Sequence, residues 1–111
     1  MQKHVLVVMT NCPPGTEAAF NEWYDGTHIP DVLKIKGFVA ATRYAVSEPQ
    51  RSDTRPAHRY LTVYEVEADS LGEAYAAMAK GLKDATISPH LEMPPWSYFF
   101  TQIGERRIQA G

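Results

Sequence analysis

Two strand segments of this chain are apolar on both faces, which restricts the folds that can hold them. Residues 5–9 contain no polar side chain, and residues 98–100 are all aromatic. Successive strand residues point to opposite faces of a sheet, so a strand with one face in water alternates apolar and polar residues. The two segments therefore predict a sheet that is covered on both faces.

Four strands are predicted from runs of β-branched and aromatic residues that are bounded by Gly, Pro, Asn or Ser. We place them at residues 4–10, 38–46, 59–66 and 96–103. A first helix is expected from residue 16, because Phe20, Trp23 and Tyr24 follow at spacings of three and four and form one apolar stripe. A second helix begins at Ser70, which forms a capping box with Glu73.

The first helix is interrupted near its middle. Gly26 and Pro30 lie in its path, and the residue before a proline avoids helical geometry, whereas proline suits the first position of a new turn. We therefore expect a kink over residues 25–29, followed by a further turn or two that ends at residues 36–37.

The predicted element order is βαββαβ over a single domain, residues 1–111, because a chain of this length has room for one core. The order is typical of the α+β ferredoxin-like fold, in which two helices cover one face of a four-stranded antiparallel sheet. Since the helices cover one face only, we expect a second copy to cover the other, in a homodimer that packs sheet against sheet.

Composition excludes several classes of partner. The sequence contains eleven Lys and Arg and thirteen Asp and Glu, which gives a formal charge of -2. This balance predicts no basic surface for nucleic acid or for anionic lipid. The longest apolar run is too short for a membrane helix, and no signal peptide is recognisable. Cys12 is the single cysteine, which fits a reducing compartment, so we expect a cytoplasmic protein.

The residues with side chains suited to catalysis are concentrated at the predicted kink. No phosphate loop, GxSxG elbow, CxxC or HExxH motif occurs in the sequence. The stretch at residues 21–33 reads NEWYDGTHIPDVL, and Gly37-Phe38 and Arg43-Tyr44 follow it. This pattern resembles the EthD-like family of dimeric α/β-barrel proteins, whose members share a W-Y-x-x-x-H-x-P-type segment at the end of the first helix.

The resemblance implies a ferredoxin-like protomer that dimerises through its sheet, with an apolar pocket between sheet and helices. Related dimeric barrels use such pockets for cofactor-independent dehydration, cyclisation, isomerisation or oxygenation of aromatic and polyketide-like compounds, and some bind haem. The EthD name comes from an ether-degradation gene cluster. The specific part of the resemblance lies in residues 21–44.

Three residues of the kink are predicted to be catalytic. His28 can take and give a proton near neutral pH, Asp31 can orient the imidazole, and Tyr24 can donate a hydrogen bond to a carbonyl or a developing oxyanion. Each also has a structural interpretation. His28 and Asp31 lie where they complement helix dipoles, and Tyr24 belongs to the core stripe with its hydroxyl at the rim.

Four further residues are predicted to bind substrate: Arg43, Tyr64, His90 and Trp96. If Arg43 points inward it needs an acidic partner or an anionic ligand, but an outward, solvated position is favoured from sequence. The aromatic residues either line a pocket or fill the dimer interface, and His90 lies in a loop, where an exposed histidine is often idle. No close pair of ligands supports a metal site, so none is predicted.

Three classes of function remain open at this point. The favoured one is a small cofactor-independent enzyme of lyase, isomerase or cyclase type that acts on an aromatic or apolar carbonyl compound in a catabolic or polyketide-like pathway. His28 would move the proton, and Tyr24 or Arg43 would polarise an oxygen. The alternatives are a haem-binding or haem-degrading dimer, with His28 or His90 as the axial ligand, and a non-catalytic protein that binds a small ligand.

Overall fold

Four strands form one antiparallel sheet in the computed structural model, which describes residues 2–48 and 50–110. They are β1 (Gln2–Thr10), β2 (Phe38–Ala45), β3 (Tyr60–Ala68) and β4 (Trp96–Thr101). Their order across the sheet is β2-β3-β1-β4, and every neighbouring pair is antiparallel. This is the predicted ferredoxin-like arrangement.

The helical segments all lie against one face of this sheet. They are α1 (Glu17–Trp23), a π-helical turn (Tyr24–His28), α2 (Ile29–Val32) and α3 (Leu71–Gly81). The interruption predicted at residues 25–29 is the π turn, which joins α1 to α2 without ending the helix. Ser70 caps α3 as predicted, because its hydroxyl accepts a hydrogen bond from the backbone N–H of Glu73 at 3.2 Å.

Helix α2 is shorter than predicted and ends at Val32 instead of residues 36–37. After it, the N–H groups of Lys34 and Ile35 bond to carbonyls three residues back, which is the spacing of a tight turn and not of an α-helix. Gly37 then has a φ of 90° and turns the chain into β2. The apolar pattern alone could not separate these turns from helix, because Ile35 is buried in either case.

Five strand ends also differ from the prediction: β1 begins two residues earlier, β2 ends one residue earlier, β3 begins one residue later, and the ends of β3 and β4 each move by two residues. β3 continues to Ala68 because Gln2 and Lys3 of β1 supply backbone partners for its last residues. β4 stops at Thr101, which pairs with His4, and beyond it the N–H of Gln102 donates to the carbonyl of Lys3 at 3.0 Å. The length of β3 is therefore set by the neighbouring strand, whereas β4 ends although β1 continues beside it.

The core lies between the sheet and the helices. Its larger part comprises Leu6, Val32, Ile35, Phe38, Tyr64, Val66 and Ala74. A second part comprises Cys12, Phe20 and Tyr24 and positions the π turn on the sheet. These strand residues alternate with residues that point to the opposite side, as the period of two requires.

The opposite side of the sheet, here termed the open face, is uncovered within the chain. Its apolar members are Val5, Val7, Met9, Tyr44, Leu61, Val63, Trp96, Tyr98 and Phe100, and the strand registers place the polar side chains of Thr42 and Glu65 among them. Tyr44, Tyr98 and Phe100 are each about half exposed. The strands are thus apolar on both sides, although the chain itself covers only one of them.

No helix among residues 2–48 and 50–110 has both the length and the apolar character needed to cross a membrane.

Candidate functional site

The π turn brings together two rings that an α-helix would separate. The N–H of Ile29 donates to the carbonyl of Tyr24, five residues earlier, which is the π-helical bond. In an α-helix, five residues advance the chain about 140° beyond a full turn, so Trp23 and His28 would face different directions. In the wider π turn their rings stack, with centroids 4.8 Å apart and planes 21° from parallel.

Tyr24 lies at the centre of the group. Its ring meets that of His28 edge-on, with centroids 5.1 Å apart, and its side chain is fully buried. The hydroxyl of Tyr64 donates to that of Tyr24 in a long contact of 3.5 Å. Burial raises the pKa of Tyr64 far above its ordinary value, so Tyr64 remains a protonated donor at neutral pH.

His28 is held as a neutral imidazole. The residue is half-buried, and its Nδ1 atom is buried without a hydrogen-bond partner in the described part of the chain. Burial lowers the pKa of His28 below its ordinary value, and the negative charge of Asp31 opposes this shift. A neutral imidazole is equipped to accept a proton, and because Nδ1 is buried, a ligand on the surface would meet the other ring nitrogen, Nε2.

Asp31 acts on His28 through its charge. Its carboxylate lies 3.7 Å from the Nζ atom of Lys34, in an exposed ion pair one helical turn away. Since Nδ1 of His28 has no partner, the hydrogen bond by which Asp31 was expected to orient that side of the imidazole is not formed. The stacked Trp23 ring orients the imidazole instead.

Arg43 points inward, contrary to the outward position favoured from sequence. Only 15% of its side chain is exposed. Its Nη1 donates to Asp25 at 3.1 Å and its Nη2 to Asn21 at 2.8 Å, while the guanidinium carbon lies 4.3 Å from the centroid of the Tyr24 ring. The inward position is possible because the first helix supplies these acceptors, which are 18 and 22 residues away in sequence.

Four of the predicted site residues therefore form one group around Tyr24. We term the set of Trp23, Tyr24, His28, Arg43 and Tyr64 the Tyr24 cluster. Its interior side is filled, because Phe20 is 0% exposed and Tyr24 and Tyr64 are 1% exposed. A ligand would consequently approach from the surface, where His28 and the guanidinium of Arg43 keep partial access.

Two predicted binding residues lie apart from the Tyr24 cluster. Trp96 is on the open face, where its ring lies 4.5 Å from that of Tyr98, on the side of the sheet away from the Tyr24 cluster. His90 lies in the loop between α3 and β4, and its backbone N–H donates to the hydroxyl of Ser88 at 3.1 Å. Its neighbour Leu91 is among the residues packed on the core around Tyr24.

None of the cavities described is lined by His28, so neither the apolar pocket that the resemblance implied between sheet and helices nor room for a haem is found beside it. The most spacious of the cavities described is about 480 Å³ and lies at one end of the open face, where Val5, Val39 and Phe100 contribute to its walls. Neither His28 nor His90 lines it. Around His28, the stacked Trp23 and the edge-on Tyr24 occupy two sides of the imidazole.

Sequence analysis assigned no role to Asn21, Asp25 or Thr86. Asn21 and Asp25 are four residues apart on the first helix, and this spacing places two oxygen acceptors on one helical side, a signal that was available in the sequence. The carbonyl of Thr86 accepts a hydrogen bond from Nε1 of Trp23 at 3.0 Å. No local pattern indicates that contact, since the two residues are 63 positions apart.

Solved structures share this architecture over nearly the whole chain. An EthD-like protein from Ralstonia eutropha JMP134 has 24% identity and a TM-score of 0.64, with 96% of both chains covered. The chain has the fold of the EthD-like proteins. A candidate monooxygenase from Shewanella loihica PV-4 is similar at 13% identity and a TM-score of 0.60, covering 98% of this chain and 97% of its own.

An ethyl tert-butyl ether degradation (EthD) family protein from Bacillus halodurans C-125 is also similar, at 18% identity and a TM-score of 0.52, covering 96% of this chain and all of its own. No protein-family model matches the chain, and no curated protein sequence matches it significantly. The resemblance first noted at residues 21–44 is thus confirmed for the fold, since identities this low carry nothing finer.

Proposed function

We propose that this protein is a cofactor-independent enzyme that catalyses proton transfer, in a lyase, isomerase or cyclase reaction, on an aromatic or apolar carbonyl compound. The observation that carries this function is the state of His28. Burial favours its neutral imidazole, and the residue is still partly exposed. Beside it, across the Tyr24 ring, lies a partly exposed cation, Arg43.

Four members of the Tyr24 cluster, together with Asp31, have a defined part in such a reaction. The neutral His28 accepts a proton from substrate, and the charge of Asp31 stabilises the imidazolium that forms. Tyr24 or Arg43 polarises the substrate oxygen. Trp23 holds the imidazole by stacking, and its indole is itself fixed by the hydrogen bond to Thr86.

We further propose a homodimer in which two open faces pack together. The open face carries half-buried Val5, Val7 and Met9 in its centre and exposed Tyr44, Tyr98 and Phe100 around them. An apolar patch of this kind is unfavourable in water and typical of an interface. We also place the protein in the cytoplasm, because its single cysteine needs no oxidising compartment.

Proton transfer can be measured without knowing the natural substrate. Phenylpyruvate is an aromatic probe with acidic hydrogens next to its carbonyl, and exchange of these hydrogens in D2O is followed by NMR. We expect the wild-type protein to accelerate exchange and the variant His28→Gln to lose most of that acceleration. His58→Gln, outside the Tyr24 cluster, is the matched control and should exchange like wild type.

Two outcomes would contradict the enzyme. Equal rates for His28→Gln and wild type would remove His28 from the reaction. A wild-type protein that binds the probe but leaves all its hydrogens in place would indicate a binding protein. A Soret band after addition of hemin, lost in His28→Ala, would instead favour the haem-binding alternative.

A further inference from the structure

We propose that Arg43 forms a subsite for a negatively charged oxygen, and that the substrate is therefore an enolisable carbonyl compound whose reaction passes through an enolate. This inference rests on the proposed function, because His28 supplies the base. It selects Arg43 over Tyr24 as the group that holds the substrate oxygen.

The guanidinium of Arg43 is only partly used by the protein. Arginine carries five N–H donors, and here Nη1 and Nη2 bond to Asp25 and Asn21 while Nε is buried without a partner among the described residues. A buried donor without a partner is costly. Because Nε is buried, the part of Arg43 that a ligand can reach is the Nη1 side, in its exposed contact with Asp25. Tyr24 offers no such access, because it is fully buried and its hydroxyl is in contact with that of Tyr64.

The two acceptors of Arg43 differ in how firmly they hold it. Asn21 is neutral, and its contact of 2.8 Å is part-buried. The side chain of Asp25 is 65% exposed, and its contact at 3.1 Å is with the solvent-facing part of the guanidinium. An exposed ion pair of this kind contributes little stability. Asp25 therefore occupies the position that an anionic substrate oxygen would take, and can be displaced from it.

The position of Arg43 relative to the base fits enolate formation. Arg43 lies over the Tyr24 ring at 4.3 Å, and His28 meets the same ring edge-on with centroids 5.1 Å apart. In the proposed complex the substrate lies on the surface beside the buried Tyr24, with its oxygen at the cation and its neighbouring carbon at the imidazole.

The step balances without an oxidant. The imidazole of His28 takes a proton from the carbon next to the carbonyl, and the C–H electron pair forms a carbon–carbon double bond. The carbonyl π pair moves onto oxygen, where Arg43 stabilises the negative charge. The imidazolium then returns the proton, either to another carbon in an isomerisation or to a departing hydroxide, which leaves as water, in a dehydration.

4-Nitrophenol tests the subsite directly, because its phenolate mimics an enolate oxygen and is yellow whereas the phenol is colourless. At a pH below the pKa of free 4-nitrophenol, we expect wild-type protein to raise phenolate absorbance in a saturable way. Arg43→Gln should weaken this binding by about tenfold or more, the usual cost of losing a charge-assisted hydrogen bond. Arg59→Gln, which removes the arginine that pairs with Glu17, is the matched control and should bind like wild type.

Asp25→Asn gives the most specific readout. If Asp25 competes with the ligand oxygen, removing its charge strengthens phenolate binding severalfold, whereas a merely structural Asp25 would give unchanged or weaker binding. This variant also decides the question should Arg43→Gln fail to fold, which circular dichroism would show. No phenolate signal with wild type, an equal signal in Arg43→Gln, or no gain in Asp25→Asn would each overturn the subsite.

The two proposals can fail separately. His28→Gln should retain the phenolate signal, because the cation is untouched, and lose hydrogen exchange on phenylpyruvate. A phenolate signal without exchange in wild type would leave the anion subsite standing and contradict the enzyme. Exchange that depends on His28 but not on Arg43 would leave the enzyme standing and contradict the subsite.

Discussion

His28 shows how burial and a nearby charge act in opposite directions on one side chain. Burial favours the neutral imidazole and lowers its pKa, while Asp31 favours the charged form. Burial is the larger effect, so the folded protein binds a proton at His28 less readily than the unfolded chain does. The same local balance that prepares His28 as a base therefore makes folding depend on pH.

The sign of that dependence follows from the lowered pKa. Above the ordinary histidine pKa of 6.5 neither state is protonated at His28, and the contribution to the free energy of unfolding is constant. As the pH falls from 6.5 through the lowered value, the unfolded state takes up the proton first, so stability falls and then levels off. Urea unfolding between pH 4 and pH 8, about the range in which histidine titrates, should show this fall in wild type but a smaller one in His28→Gln. A larger fall in the variant would contradict the burial of the ring.

At the scale of the element, the π turn depends both on its local sequence and on the side-chain contacts that it makes possible. Gly26 and Pro30 mark an interruption, but only the wider turn allows Trp23 to stack on His28. Gly26 does not have a left-handed backbone, and a Cβ built on it meets nothing within 4 Å. Position 26 therefore requires glycine neither for lack of space around its Cα nor for its backbone conformation.

Two helical glycines give opposite predictions. Gly26→Ala should raise the free energy of unfolding by about 0.5–1 kcal/mol, because alanine restricts the unfolded chain and fits the turn. Gly81→Ala should lower it by about 1–3 kcal/mol, because its Cβ would lie 2.5 Å from Cγ1 of Ile35. Chemical denaturation of both variants is the measurement, and a destabilised Gly26→Ala would mean that the π turn itself needs glycine.

The turn before β2 has a glycine of the other kind. Gly37 has a φ of 90°, and a Cβ there would lie 2.7 Å from the carbonyl oxygen of Glu67. Gly37→Ala should therefore destabilise the fold by about 1–3 kcal/mol, the cost of a strained backbone, plus the displacement of that carbonyl. Denaturation should show this loss, and a variant as stable as wild type would contradict the close approach.

At the scale of the whole molecule, one sheet face is buried by helices and the other is open. Tyr98→Glu places a charge on the open face and should convert the expected dimer to monomer, as measured by light scattering. Tyr75→Glu is the matched control, because Tyr75 is 62% exposed on α3 and on the helical side. It should leave the mass unchanged. A wild-type protein that is monomeric at micromolar concentration would contradict the dimer.

The fold could be predicted from sequence because its signals are local. The period of two in the strands, the Ser70 cap and the Gly26 and Pro30 interruption each act within a few residues. The ends of α2 and β3 were less well predicted, because the turn at Gly37 and the neighbouring strand decide them, and β4 ends although its neighbour β1 continues. Within the Tyr24 cluster, the sequence predicted that Tyr24 and His28 lie close together, since both belong to one short helical stretch.

The sequence by itself determined the order of the elements, the chemical character of both sheet faces and the presence of an imidazole beside a tyrosine. The tertiary structure alone decided that Arg43 turns inward to Asp25 and Asn21, that Trp23 stacks on His28, and that Trp96 lies on the other side of the sheet. The physical reason is range: periodicity and capping act between near neighbours, whereas the partners of a charged or aromatic side chain are supplied by segments that only folding brings close.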